Sequence, residues 1–118
     1  MPVTPRDLLS ILQDAWSLST GRNWLPERPA RGQCSVTALV VYELCGGEIL
    51  KTPTEGGWHF YNRVNGVRHD LTASQFDAPV RYADIVSDEA EALADTSPDR
   101  YALLRRRVDA ALAARHAA

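Results

Sequence analysis

Apolar positions near the N-terminus recur at helical spacing. Leu8, Ile11, Leu12, Ala15 and Trp16 fall on one helix face. Thr4-Pro5-Arg6-Asp7 before them reads as a helix start. Threonine caps, proline fits the first turn, and Asp7 offers a carboxylate to unpaired N–H groups. The pattern ends at Ser19-Thr20-Gly21, and RNWLPERPARGQ, with prolines and a glycine, predicts an irregular loop. From Cys34 to Leu44 the chain is apolar nearly all round, through Val36, Ala38, Leu39, Val40 and Val41. That is the pattern of a buried central helix, and Gly46-Gly47 closes it.

The period then changes to two. GEILKT predicts a short strand and PTEGG a loop. WHFYNRV and VRHDLT flank Asn65-Gly66, a strong hairpin signal because both turn positions need positive φ. Ser87 is placed to cap a short helix over Asp88–Ala94. Ser97-Pro98-Asp99 is placed to cap a longer one facing Tyr101, Leu104, Val108, Ala111 and Leu112 to the core. Arg105, Arg106 and Arg107 read as a solvated face. These elements predict an α+β fold: a single domain over residues 1–118, with a buried helix bearing Cys34 packed on a small antiparallel sheet and helices at the flanks.

Composition narrows the class. A chain of 118 residues, 45% hydrophobic and 24% charged, can bury a core without staples. A net charge of -2 argues against a nucleic-acid partner. No apolar stretch is long enough for a bilayer and no secretion signal is visible, so a cytoplasmic protein is expected. Cys34 and Cys45 on one helix would lie roughly 16 Å apart along its axis, while a disulfide needs Cα atoms within about 7 Å. Both are expected to be free thiols.

The hairpin supplies partners for Cys34. With Asn65-Gly66 in the turn, Val64 pairs with Val67, Tyr61 with Asp70 and Phe60 with Leu71. One face then carries Trp58, Phe60, Asn62, Val64, Val67, His69 and Leu71, and is expected to pack on the core. The other, polar face carries His59, Tyr61, Arg63, Arg68, Asp70 and Thr72. His59 and Asp70 are diagonal neighbours on it, with Cα atoms roughly 7–8 Å apart. His69 is expected to bond Asn62 in a structural role, and His116 to have none. Cys34 opens a helix, whose free N–H groups and dipole favour an anion. His59 can take the thiol proton, Asp70 can orient His59, and the Cys34 N–H can face an oxyanion. Cys45, deep in the apolar run, is expected to be filler. A metal site through Cys34, His59 and Asp70 is the weaker alternative, because zinc sites usually show close ligand pairs and none is present.

GQCSVTALVVYELCGGEIL followed by GGWHFYNRVNGVRHDLTASQF resembles the small bacterial YunG family, over roughly residues 20 to 80. The order of elements is also similar to the transglutaminase-like and papain-like cysteine fold. There a cysteine opens a helix, a histidine lies on a following strand and an aspartate on the next. Gln33-Cys34 looks like the transglutaminase motif, with Ser35 where that family has tryptophan. Papain-like enzymes carry an oxyanion glutamine upstream; the neighbouring positions here hold Glu27 and Arg28, leaving Gln33, Asn23 or Trp24 as candidates. The expected function is a cofactor-free cysteine hydrolase or acyl/amide transferase. Cys34, His59 and Asp70 would act on an amide, isopeptide or thioester of a small molecule or partner protein. A non-catalytic binding module and a thiol redox sensor are the alternatives.

Overall fold

The structure, a computed structural model, describes residues 3–117. Helix α1 spans Pro5–Ala15. Thr4 and Asp7 cap it reciprocally: the Asp7 N–H donates to Thr4 Oγ1 at 3.3 Å and the Thr4 N–H to Asp7 Oδ2 at 3.0 Å. It stops before the expected Ser19–Gly21 because Trp16 turns extended and buries its ring, donating from Nε1 to Thr37 Oγ1 at 2.9 Å. Arg107 closes the open end, donating to the Ala15 carbonyl at 2.8 Å and Ser17 Oγ at 2.9 Å. That arginine, exposed as expected of a solvated face, also clamps the helix end.

Helix α2 spans Cys34–Cys45, with every side chain from Ser35 to Val41 buried. One of its sides joins Leu8, Leu12 and Trp16 of the N-terminal segment and Leu104 and Val108 in the main core. The other side meets Ile49 and Phe60 through Ala38 and Leu39.

The sheet is antiparallel and ordered β3-β2-β1-β4, with β1 Glu48–Thr54, β2 Gly57–Val64, β3 Val67–His69 and β4 Ile85–Val86. The longest ladder joins β1 and β2 as far as Thr54↔Gly57, so Pro53 and Thr54, expected in a loop, are strand. Pro53 is tolerated because β4 pairs only with Leu50 and Lys51, leaving that end of β1 an edge. Asn65 and Gly66 both have positive φ (52° and 77°) and fix the expected Val64↔Val67 register. The β2–β3 ladder stops at Asn62↔His69, so the expected Tyr61–Asp70 and Phe60–Leu71 pairs do not form. Asn62 donates to the Ala38 carbonyl at 3.0 Å rather than bonding His69.

Both faces of central β2 are buried. Phe60, Asn62 and Val64 pack towards the helices, as expected, while Trp58 and Val67 of the same face are exposed at the ends. The face expected to be polar is covered too. A strap formed by residues 70–84, with one 3-10 turn at Ala73–Gln75, lays Phe76 against His59 and Tyr82 against Tyr61. The strap is fastened to β1 by Thr52 Oγ1, which donates to the Arg81 carbonyl at 2.8 Å and accepts from the Ala83 N–H at 2.9 Å.

Helix α3 (Glu89–Ala94) is capped by Asp88, which accepts from the Glu91 N–H at 2.8 Å, and not by Ser87, which lies one residue too early. Helix α4 (Pro98–Ala117) is capped by Ser97 as expected, with Leu104 and Val108 buried and Tyr101, Ala111 and Leu112 half-buried. Among the described residues no helix is long and apolar enough to cross a membrane.

Candidate active site

Cys34 owes its position to the loop before it. Gly32 has φ 75°, and a Cβ there would stand 1.5 Å from the Arg22 carbonyl oxygen, so only glycine allows the loop to close on itself. Gln33, fully buried, accepts from the Thr20 hydroxyl at 2.7 Å and donates to the Ser17 carbonyl at 3.2 Å. Its amide is held inside, away from the cleft, and anchors the start of α2. As N-cap residue it makes no side-chain cap. The N–H groups of the first turn therefore remain without a cap beside the half-buried Cys34 thiol.

His59 stands on β2 beyond the end of β3, where the sheet edge is open. The His59 ring is 2% exposed and Asp70 side chain 4%. His59 Nε2 and Asp70 Oδ2 are 2.7 Å apart. Because a carboxylate only accepts, Nε2 carries the proton. Asp70 is met on every side: the Tyr82 hydroxyl donates to Oδ2 at 2.8 Å, and the Thr72 N–H and hydroxyl both reach Oδ1 at 3.3 Å. A buried carboxylate needs that many donors to remain charged without large cost. The site is thus a dry one beneath the strap, rather than the solvated hairpin face expected.

The Asp70 bond leaves His59 Nδ1 buried and without a hydrogen-bond partner, with Cys34 beside the ring. Burial is the largest influence on the imidazole and pushes its pKa down. The bond to Asp70, the Cys34 side chain and the charges of both outweigh it, raising the pKa to about 9. Burial, then the Asp7 charge, push the Cys45 thiol up, so the second cysteine holds its proton.

A cleft of about 990 Å³ opens onto Cys34, Ser35 and His59, between the loop preceding α2, the β1–β2 turn, the strap and the start of α4. Asn23, in the left-handed region at φ 63°, lines it. Trp24 does not; it packs on the main core with its Nε1 buried and unpartnered. Tyr82 and Phe76 are site residues that sequence reasoning missed. Both lie in the aperiodic SQFDAPVRYAD stretch, where no pattern assigns a facing direction. Among the described residues no group of three or more His, Cys, Asp or Glu side chains is disposed to hold a metal ion.

The family model described as "YunG protein" matches residues 4–113. A relative from Bacillus subtilis (strain 168), described as "Uncharacterized protein YunG", is 46% identical over 95 residues, covering 80% of this chain and 83% of the relative. No solved structure matches.

Proposed function

The chain belongs to the YunG family, and from that premise we propose that it is a cysteine-dependent hydrolase or acyl transferase acting on an amide, isopeptide or thioester carbonyl. The observation that carries this reading is the buried His59. Its Nε2 is committed to Asp70 at 2.7 Å, while its Nδ1 has no hydrogen-bond partner and Cys34 lies beside the ring. The order of cysteine at a helix start, histidine on β2 and aspartate after β3 is similar to papain-like and transglutaminase-like enzymes, and supports the same chemistry.

With a pKa raised to about 9, His59 holds a proton on Nδ1 as well as Nε2 at neutral pH, and the reaction starts from the deprotonated Cys34 sulfur beside it. The thiolate sulfur forms a bond to the carbonyl carbon, and the carbonyl electron pair moves to oxygen. Uncapped N–H groups at the start of α2 face that oxyanion. On collapse the bond to the leaving amine or thiol breaks, and Nδ1–H protonates the leaving atom. Neutral His59 then takes a proton from water or an acceptor amine, which attacks the thioester and releases Cys34. Asp70 moves no proton; it keeps Nε2 protonated and stabilises the imidazolium. Both cysteines are free thiols, which suits a reducing cytoplasm. The substrate is a small molecule or is presented by a partner protein.

Incubation with an activated acyl thioester, followed by intact-mass and peptide mass spectrometry, tests this. A single acyl adduct on Cys34, lost in Cys34→Ala and slow to form in His59→Ala, is expected. An adduct absent from Cys34, or unchanged in His59→Ala, overturns it.

A further inference from the structure

The chain carries a net charge of -2, yet its unpaired cations gather at one place. Among the described residues the side chains of Arg28, Arg63, Arg68, Arg105, Arg107 and Arg115 all have hydrogen-bond partners. Of the arginines whose side chains have none among the described residues, Arg22, Arg31, Arg81 and Arg100 line the cleft over Cys34, and Arg6 and Arg106 lie elsewhere. They come from different parts of the chain: Arg22 and Arg31 from the loop before α2, Arg81 from the strap, Arg100 from the first turn of α4. The acidic groups on the same cleft are Glu55, Asp77 and Asp95. Asp77 is taken by Arg28 at 2.7 Å, so four free guanidinium groups face two free carboxylates.

An arginine with a carboxylate neighbour is neutralised; one left open to a cleft is available for planar, bidentate recognition of an anion. Several of them raise the local concentration of anionic ligands and steer their approach. We propose that the cleft selects acyl donors that carry a carboxylate near the scissile carbonyl, with Arg22, Arg31, Arg81 and Arg100 as the specificity-determining groups. This rests on Cys34 being the nucleophile, and the donor is either a small carboxylated compound or an acidic peptide segment.

Paired alkylating probes test it without a known substrate. Iodoacetate and iodoacetamide react at the same carbon and differ in one negative charge. Their rate ratio at Cys34, normalised to that of glutathione, is expected to exceed about tenfold at low salt and to shrink as salt screens the cleft. Arg31→Gln with Arg100→Gln is expected to lower the ratio severalfold, while Arg106→Gln, removing the same charge outside the cleft, leaves it in place. Should the double variant not fold, the single variants Arg31→Gln and Arg100→Gln are read instead, each expected to lower the ratio, and folded single variants that both keep the full ratio overturn the proposal. A Cys34 that reacts rapidly with iodoacetamide but shows no salt-sensitive preference for iodoacetate overturns the proposal and leaves the nucleophile standing. A Cys34 slow with both overturns the nucleophile itself. Protection at millimolar concentration by N-acetylglutamate assigns the small donor, and protection by an acidic peptide amide alone assigns the peptide. Protection by neither contradicts carboxylate recognition.

Discussion

The two faces of β2 are buried in opposite ways. Towards the helices, Phe60 and Val64 fill apolar space against Leu39, Val36 and their neighbours, and the lone polar group, Asn62, is tied to the Ala38 carbonyl. Towards the strap, the residues are His59 and Tyr61, and they are held by carboxylates. Asp70 serves His59, and Asp84 accepts from the Tyr61 hydroxyl and from Arg68 Nε, both at 2.9 Å. The first face is a core whose energy comes from area removed from water. On the second, among the described residues, each buried side-chain polar atom but one has a partner, and that one, His59 Nδ1, is where the chemistry is proposed. The polar face is thus built for orientation and the apolar face for stability.

Substitutions that separate these roles sharpen the contrast. Phe60→Ala removes an aromatic ring from the apolar side and is expected to cost about 3–5 kcal/mol of stability, read by urea denaturation. Asp70→Asn removes the charge opposite Nε2 and can favour the wrong tautomer. It is expected to slow Cys34 alkylation about 10- to 100-fold, or about 1.4–2.7 kcal/mol of barrier. Its stability loss should be smaller than that of Phe60→Ala, although the site is buried. An Asp70→Asn protein as reactive as wild type would remove Asp70 from the site's chemistry.

Acidity probes the polar face alone. His59 rises from 6.5 to about 9 on folding. A raised pKa means that the folded state binds the proton more tightly, so this contribution is full below pH 6.5 and is lost as pH rises through about 9. Unfolding free energy is expected to fall by about 1–3 kcal/mol across that window. The fall should be absent in His59→Ala and present in His69→Ala. Tyr82→Phe is the mildest change. It deletes one of the donors to Asp70 and is expected to cost about 1 kcal/mol and a few-fold in Cys34 alkylation rate, with the pH window displaced because Asp70 has one bond fewer.

The same contrast governs what was legible in the sequence. Helix α1 and the core side of α4 follow from periodic apolar residues and α2 from an apolar run, and the Asn65-Gly66 turn set the Val64↔Val67 register, while His59 and Asp70 meet beyond the end of that ladder, outside the expected strand pairing. Burial of that pair was not legible, because alternation marks a polar face without saying what covers it. The cover is the strap, whose Phe76 and Tyr82 have no periodic partners. It is located only by long-range contacts such as Thr52 with the Arg81 carbonyl and Tyr61 with Asp84. Gln33 was visible as part of a motif, but its direction depends on Thr20 and Ser17, far back along the chain.

In the proposed chemistry one thiol of two is activated by a buried imidazole. The most direct measurement is iodoacetamide labelling of the folded protein at mildly acidic pH, with Cys34 and Cys45 peptides quantified separately. Cys34 should label about 100-fold faster than Cys45, whose thiol burial keeps protonated, and His59→Ala should erase most of that difference. Equal rates, a faster Cys45, or a Cys34 indifferent to His59 would contradict the account.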